Sequence, residues 1–435
     1  MPTFDRPLSF SRAHRGAIAL SIAALLALGG PGPAVFAADA AAYTLSTGTQ
    51  SADGGTYVAT ATDASAVTVS DGATATLTGA TITKTGDTSS ADDSSFHGLN
   101  AAALVTAGSS LTLVDTAIQA DAAGANGAFA NGSGATLELD GVTISANGDG
   151  AHAVMATEGG TVTLIDTEMT TTGAHSGAVA TDRGSGTITM TGGSAATSGA
   201  DSPAIYSTGA ITASGATLSA SGAEAAVIEG SNSITLTDSD LSSTFDGKWG
   251  VMLYQSFSGD AEGSHSTFTM TGGSLSYDAT TGPLFFVTNA TGEIVLSGVD
   301  VTSGSGVLLQ AAATDRWGNA GANGGHAILT ASGETLTGDV VADDISSASV
   351  TLTDGSSLTG TVTNAGLSLD ASSTWTVTAD STLTTLADAD GVAGMSIANI
   401  VGNGHTVTYD ASLADNAWLA GGTYTLSGGG TLTPA

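Results

Sequence analysis

The sequence has no cysteine, few aromatic residues and very few basic residues. Its 435 residues include 5% Phe, Trp and Tyr, and only 7 Lys or Arg against 40 Asp or Glu. Without cysteine there is no disulfide framework and no thiolate metal site. A net charge of −33 repels nucleic acid and anionic lipid surfaces. These absences exclude a disulfide-stapled scaffold and a nucleic-acid-binding protein, so we expect stability to come from extended apolar packing.

The N-terminal segment has the pattern of an export signal. Three arginines lie in the first 15 residues, and the apolar run 17–29 that follows is too short to span a bilayer. Val35 and Ala37 are suited to the −3 and −1 positions of a cleavage site. We therefore expect residues 1–37 to be a signal peptide, cleaved after Ala37, with no transmembrane segment in the exported remainder. That remainder keeps four basic and 39 acidic residues.

One apolar position returns at a nearly constant interval along the chain. Its members are Leu104, Phe129, Val154, Val179, Ile205, Val227, Met252, Phe285 and Leu308. Successive members are 22 to 26 residues apart, with one spacing of 33. A period of this size is the mark of a repeat protein, in which each unit packs on its neighbours.

Two further apolar series share this period and identify the repeat unit. One consists of Leu77, Leu113, Leu139, Leu164, Met190, Ala213, Leu236, Met270, Leu296 and Ala331. The other lies five residues further on, at Ile82, Ile118, Ile144, Met169, Ala195, Leu218, Leu241, Leu275, Val301 and Leu336. Around Leu139 the sequence T-L-E-L-D alternates strictly, which predicts a strand with one buried face.

Helices and leucine-rich repeats fit this unit poorly. Helical spacing is absent, the 61 glycines are too many for helices, and the Leu/Asn consensus of leucine-rich repeats is missing. We therefore predict an all-β fold, a parallel β-helix with coils of about 25 residues stacked at about 4.8 Å. We expect about ten coils over 38–340, and a C-terminal cap and folding seed over 341–435, where the apolar residues are larger.

The coils resemble a known family. Stretches such as "GAHAVMATEGGTVTLIDTEM", and above all "LTDGSSLTG" and "SSTWTVTADSTLTTL", are similar to the passenger domains of Gram-negative autotransporters, the pertactin-like right-handed parallel β-helix. The likeness spans roughly 55–390. It implies a secreted or cell-surface protein of a Gram-negative bacterium, with the periplasm as an alternative location. Because the stretch after Leu386 is too short for the translocator domain of that family, we expect one of three cases: a separate outer-membrane translocator exports the protein, it stays in the periplasm, or it is a paralogue without a translocator.

Two functions of different classes follow from this fold. The favoured one is a non-catalytic, adhesin-like or antigenic stalk that binds a host or cell-surface ligand, either protein or glycan, without a cofactor. The alternative is a polysaccharide-processing enzyme, a lyase or a glycoside hydrolase. Asp92–Asp93 and Asp343–Asp344 are adjacent pairs whose members face opposite sides of a strand, so neither is a catalytic pair. The scattered histidines predict no metal site. We therefore predict no catalytic, cofactor or metal residues.

Two long insertions are the best candidates for a recognition surface. Both follow the first strand of a coil, and the coils are two apart, so the insertions lie at one corner of the stack. The candidate recognition residues in them are Tyr254, Phe257, Asp260, His265, Asp315, Arg316, Trp317 and His326. A third insertion, 85–100, is expected at a different corner about six coils away. The alternative is that these loops merely tolerate insertions, which cost little in loop entropy.

The predicted cap generates a first test. A chain of residues 38–345 would leave an open apolar core and unpaired strand edges, which favour aggregation. We expect it to be less soluble and more protease-sensitive than 38–435, as measured by circular dichroism and limited proteolysis. Equal folding and protease resistance of the two chains would contradict the role of 341–435 as cap and seed.

Overall fold

The structure is a computed structural model that describes residues 42–388 and 390–435. The predicted signal peptide lies outside these residues. The described chain winds into a right-handed parallel β-helix in which each coil contributes one strand to each of three parallel sheets, named A, B and C in chain order. This confirms the predicted fold class. The three sheets enclose one continuous apolar core that runs the length of the stack.

The strands of each sheet follow one another coil by coil. Sheet A consists of Tyr43–Leu45, Val67–Val69, Ala103–Thr106, Ala128–Asn131, Val154–Thr157, Val179–Thr181, Ile205–Ser207, Ala226–Glu229, Val251–Tyr254, Phe285–Thr288, Val307–Ala311, Asp339–Ala342, the first parts of Val362–Leu369 and Ser381–Ala387, Thr406–Tyr409 and Thr431–Pro434. Sheet B consists of Thr49–Asp53, Thr74–Thr78, Ser110–Val114, Thr136–Asp140, Thr161–Ile165, Thr187–Thr191, Ala210–Ser214, the first parts of Ser233–Ser243 and His265–Tyr277, Thr291–Ser297, His326–Ser332, Ser347–Thr353 and the second parts of Val362–Leu369 and Ser381–Ala387. Sheet C consists of Thr56–Ala59, Thr81–Lys84, Ala117–Ala120, Thr143–Ala146, Glu168–Thr171, Ser194–Thr197, Thr217–Ala220, the second parts of Ser233–Ser243 and His265–Tyr277, Asp300–Ser303, Thr335–Thr337, Ser357–Gly360, Thr374–Val377, Ser396–Val401 and Tyr424–Ser427.

The register of sheets B and C confirms two of the three apolar series. In sheet B the members from Leu77 to Ala331 lie directly opposite one another in successive coils. In sheet C the members from Ile82 to Val301 do the same. Their outward neighbours are mostly Thr and Ser, whose side chains suit a half-exposed strand. The alternation of apolar residues with Thr and Ser therefore predicted correctly which side chains of sheets B and C point into the core.

The series assigned to sheet A was wrong at several positions. Phe129 lies opposite Met155, and Val154 lies opposite Ala128, so the predicted series crosses from one face of the sheet to the other. Leu104, Phe129, Val227 and Met252 point away from the core, whereas Val154, Val179, Ile205 and Phe285 point into it. The error arose because both rows of sheet A are apolar. A one-residue slip changes the face of a strand, and apolar character alone could not detect it here.

Glycine is required at one corner of the coils because the backbones approach closely there. At Gly148, Gly173, Gly199 and Gly222, between sheets C and A, an added Cβ would lie 1.7 to 2.2 Å from a carbonyl oxygen of the preceding coil. Asp side chains at the same corner form hydrogen bonds between neighbouring coils. Asp149 accepts a hydrogen bond of 2.9 Å from the backbone N–H of Ala174 in the next coil.

Helices occur only briefly in the described residues. Helix α1 (Ala91–His97) begins after Ser90, whose hydroxyl accepts from the N–H of Asp93, and ends at Gly98 in the left-handed conformation with φ of 69°. A 3-10 helix covers Ala414–Leu419. No helix in the described part of the chain is long and apolar enough to cross a membrane.

The C-terminal end of the stack differs from the body. Sheet B ends with the second part of Ser381–Ala387, while sheets A and C continue to the last strands of the chain. The short strand Val392–Ala393 pairs antiparallel with Ser396–Val401, and Tyr424–Ser427 pairs antiparallel with Thr431–Pro434. The 3-10 helix packs here, and the Trp418 indole N–H donates to the carbonyl of Leu386 at 2.9 Å. The role of 341–435 as a C-terminal cap and folding seed stays a prediction.

The close approach at the glycine corner predicts an unequal response to the same substitution. In Gly199→Ala the new Cβ would lie 1.7 Å from the Gly173 carbonyl oxygen, so backbone must move. We expect a loss of about 2 kcal/mol or more in the free energy of unfolding, measured by urea denaturation. Gly215→Ala is the control, because its Cβ meets nothing within 4 Å and only its φ of 64° is unfavourable, at a cost of about 1–2 kcal/mol. Equal losses for both variants would contradict the assignment of this corner.

Candidate functional site

The outward side of sheet A carries a second apolar row. Its members lie in register over eight coils: Leu104, Phe129, Met155, Ala180, Tyr206, Val227, Met252 and Phe286. Most of these side chains are buried, although they lie outside the core that the three sheets enclose. An outward apolar row of this length needs a cover, since large exposed apolar patches are rare on folded proteins. The long insertions supply that cover.

The insertion that contains helix α1 covers the N-terminal part of the row. It leaves the stack between sheets C and A, at a different corner from the other two, as predicted. It then folds back over sheet A, where the Phe96 carbonyl accepts hydrogen bonds from Thr157 Oγ1 at 2.8 Å and Asn131 Nδ2 at 3.2 Å. Gly98 lies so close to Phe129 that a Cβ there would be 2.8 Å from the ring.

The other two insertions meet over the next part of the row. They occupy 255–264 and 312–325, both between a strand of sheet A and a strand of sheet B, and their coils are two apart, as predicted. The Trp317 ring of the second insertion packs on the Tyr254 ring, which immediately precedes the first insertion, with centroids 4.9 Å apart. Asn289, from the coil between them, joins the two insertions, because its side-chain amide donates to the Gln255 carbonyl at 2.6 Å and its backbone N–H to the Asn323 carbonyl at 3.2 Å. The two loops therefore form one surface.

A cleft of about 390 Å³ lies between this surface and the turn 244–250. Its lining consists of His175, Asp201, Pro203, Tyr206, Glu224, Val227, Lys248, Trp249, Met252, Tyr254, Thr314, Asp315, Arg316 and Trp317. The outward row supplies the apolar floor. Trp249 stacks flat on Phe286 with centroids 4.2 Å apart, and Trp317 faces it at 6.1 Å and an angle of 55°. Both indoles line the cleft and are only partly buried.

One end of the cleft is a group of charged side chains around Lys248. Its ammonium group contacts the Asp201 carboxylate and lies 3.5 Å from Glu224 Oε2. Burial raises the pKa of Glu224, although Lys248 acts in the opposite direction. The hydrogen bond from Lys248 lowers the pKa of Asp201. The ammonium ion thus stabilises two carboxylates at the wall of the cleft.

A buried carboxylate fixes the aromatic floor from below. Glu229 Oε2 accepts hydrogen bonds from the hydroxyls of Tyr206 at 2.7 Å and Tyr254 at 2.6 Å. Its other oxygen accepts from Ser256 and, at 3.5 Å, from Ser258 in the covering loop. Burial is the main cause that raises the pKa of both tyrosines, so they remain hydrogen-bond donors. Glu229 therefore holds the two rings in position.

An ion pair links the covering loops beside the cleft. Arg183 Nη2 lies 2.8 Å from Asp260 Oδ1, and the same guanidinium lies 3.7 Å from the centre of the Phe96 ring. Arg183 thereby connects the helix α1 insertion to the 255–264 loop. Asp260 lines a second, polar depression of about 710 Å³. Burial raises the pKa of the neighbouring Asp182 to about 7, and the Asp260 and Glu229 carboxylates act in the same direction.

The structure brings together four of the eight predicted recognition residues. Tyr254, Asp315, Arg316 and Trp317 line the cleft. The other four lie elsewhere. Asp260 is in the adjacent depression, and Phe257 is 67% exposed on the loop. His265 and His326 begin strands of sheet B, where they contact Glu293 at 3.2 Å and Ser347 at 2.9 Å.

Several lining residues were missed by the sequence analysis. Asp201, Glu224, Lys248 and Trp249 come from the corner between sheets C and A, in coils where no insertion was visible. The stretch "DGKWG" reads as an ordinary Asp-Gly turn. One signal was present in the sequence, because a lysine beside a tryptophan is unusual in a chain with so few cations and aromatic residues.

Comparison of the chain with protein-family models, with curated proteins and with solved structures found no match. The function therefore has to be argued from the geometry of the cleft and from the sequence.

The carboxyl group of Asp182 predicts a pH dependence of stability. Its pKa is about 7 in the folded chain against 3.8 in the reference state. A raised pKa means that the folded state binds the proton more tightly, so this stabilisation is full below pH about 4 and is lost as the pH rises through about 7. We expect Asp182→Asn to be more stable than the parent at pH 8 by on the order of 1–3 kcal/mol, with no such gain at pH 4.

Thermal unfolding at several pH values measures this effect. Asp166→Asn is the control, because this exposed carboxylate lies on the outside of the stack. An equal change for Asp182→Asn at pH 4 and pH 8 would show that the folded carboxyl does not titrate as described.

Proposed function

We propose that this chain is an exported, non-catalytic β-helical protein that binds a glycan in the cleft beside Trp249 and Trp317. In this proposal it is an adhesin-like, secreted or cell-surface protein of a Gram-negative bacterium. The signal-like segment 1–37 and the passenger-like coils support export. The observation that carries the binding role is the pair of partly exposed indoles above an apolar floor.

The dimensions of the cleft favour a glycan over a protein ligand. A volume of about 390 Å³ falls within the range of small-molecule sites. A protein partner would bury about 800 Å² on each side, which is far more than this cleft offers. Sugar rings present apolar C–H faces and a rim of hydroxyls. The indole rings can pack on the C–H faces. The carboxylates of the cleft, with Lys248 and Arg316, can hydrogen-bond to the hydroxyls.

The rigid support of the cleft also favours binding. Trp249 is stacked on Phe286, and Tyr254 is held by Glu229. Side chains that are already ordered lose little entropy when a ligand binds. A parallel β-helix with a covered side face can thus present a preformed site on an elongated rod.

A catalytic alternative at the same cleft rests on Glu224. Burial raises the pKa of this carboxyl group, as in the general acids of glycosidases. However, the group is next to Lys248, and the second nearby carboxylate, Asp201, contacts the same ammonium ion. Both carboxylates therefore have a structural partner, which supports binding without catalysis.

Glycan-array binding followed by calorimetry tests the proposal. For Trp317→Ala we expect roughly ten-fold or more loss of affinity for any glycan that the parent binds, because a central aromatic contact is removed. Phe257→Ala is the matched control, since this exposed ring lies on the neighbouring insertion outside the cleft, and we expect its affinity to be unchanged.

Two outcomes would contradict the proposal. One is the absence of any glycan binding, or binding that Trp317→Ala leaves intact. The other is depolymerisation of a bound polysaccharide that Glu224→Gln abolishes while binding persists, which would establish the enzyme instead.

A further inference from the structure

The few basic side chains of this chain are concentrated on one face. After residue 37 the only Lys and Arg residues are Lys84, Arg183, Lys248 and Arg316. Lys84 is fully buried, and its ammonium group donates to backbone carbonyls, one of them that of Ala61 at 2.8 Å. The other three lie beside the covered face of sheet A, two of them in the cleft and one in the adjacent depression. The placement of cations therefore needs an explanation at this face.

Two of these three cations have carboxylate partners and the third does not. Arg183 is paired with Asp260, and Lys248 with Asp201 and Glu224. Arg316 is exposed at the lip of the cleft and makes no salt bridge among the described residues. Its guanidinium lies 4.8 Å from the centre of the Trp317 ring. The planar guanidinium of Arg316, with its N–H donors, thus lies beside the Trp317 indole and is free to bind a ligand.

We propose that the cleft selects a saccharide that carries a carboxylate, with Arg316 binding that carboxylate and the indoles of Trp249 and Trp317 taking the sugar ring. This inference rests on the proposed glycan-binding function and specifies its ligand class. A guanidinium binds a carboxylate through two parallel hydrogen bonds, which gives both strength and orientation. A hexuronic or sialic-type residue carries one carboxylate on a pyranose ring. This arrangement matches a guanidinium that lies beside the indole rings.

The charge of the whole chain limits the ligand further. A net charge of −33 repels dense polyanions at long range. At physiological salt such repulsion is screened beyond about 8 Å, whereas a contact with Arg316 is made at hydrogen-bond distance. A saccharide with one or a few separated carboxylates is therefore favoured over a sulfated or continuously charged polymer. The exposed carboxylate of Asp315 beside Arg316 weakens the attraction, so its removal should strengthen binding.

Matched pairs of sugars test this selectivity on the full-length exported chain. The probes are sialyllactose against lactose, and the methyl glycoside of galacturonic acid against its methyl ester, measured by calorimetry. We expect roughly ten-fold tighter binding of the carboxylated member of each pair. Arg316→Gln should bring that ratio close to one, Arg316→Lys should retain part of it, and Asp315→Asn should raise it. Circular dichroism of each variant verifies that the fold is intact.

The outcomes separate this inference from the function on which it rests. Equal affinity for charged and neutral members, or a preference that persists in Arg316→Gln, overturns the carboxylate assignment while glycan binding stands. Binding of neither member, with none on the array, overturns both.

Discussion

Each coil of this β-helix must place its backbone N–H and C=O groups opposite those of the coils above and below, about 4.8 Å away. Buried backbone groups without a partner are costly, so the register of neighbouring coils can hardly vary. Sheet B keeps an unbroken one-to-one register from Thr49–Asp53 to Ser347–Thr353. The extra residues of the three insertions therefore leave the stack at corners, where no ladder is interrupted.

The insertions collect on one face because of the side chains that sheet A presents to the outside. Sheets B and C bury one row of side chains and expose the other, but sheet A carries apolar residues on both sides. The outward row, with Phe129 and Phe286 among its members, would be a long apolar stripe in water without a cover. The α1 insertion covers it at one end and the other two cover it further along. The cleft lies where the cover is incomplete, between the turn at Trp249 and the loop at Trp317.

The sequence was sufficient to predict the fold because two of its apolar series are unambiguous. Alternation of apolar residues with Thr and Ser around Leu139 and Leu164 allows only one inward face. Sheet A gave no such signal. In "AHAVMAT" both Val154 and Met155 are apolar, so the residue that repeats with the right period cannot be told from its neighbour. Only the hydrogen-bonded register, which depends on contacts between distant residues, distinguishes the two rows.

The cleft was predictable only in part for a related reason. Insertions are visible as irregular spacings, and that signal singled out Tyr254 and Trp317, which line the cleft. The opposite wall comes from coils of ordinary length, in which Glu224 and Lys248 occupy a regular corner. Their role follows from what the fold stacks against them, and this is not encoded in the local sequence. The α1 insertion illustrates the same limit, because its corner was predicted correctly while its return over sheet A was not.

Covering an acidic protein's side face brings carboxylates together, and this creates the need for cations there. Glu224 and Glu229 are buried and Asp260 is partly buried, and removal from water makes each of these charges costly. Hydroxyl donors satisfy Glu229, while Lys248 and Arg183 neutralise the other two. These two cations are therefore accounted for by the folding of the face itself. Arg316 neutralises no carboxylate among the described residues, and its guanidinium contacts the Trp317 ring instead. Its exposed position at the mouth of the aromatic cleft, without a carboxylate partner among the described residues, is the basis of the proposed carboxylate contact.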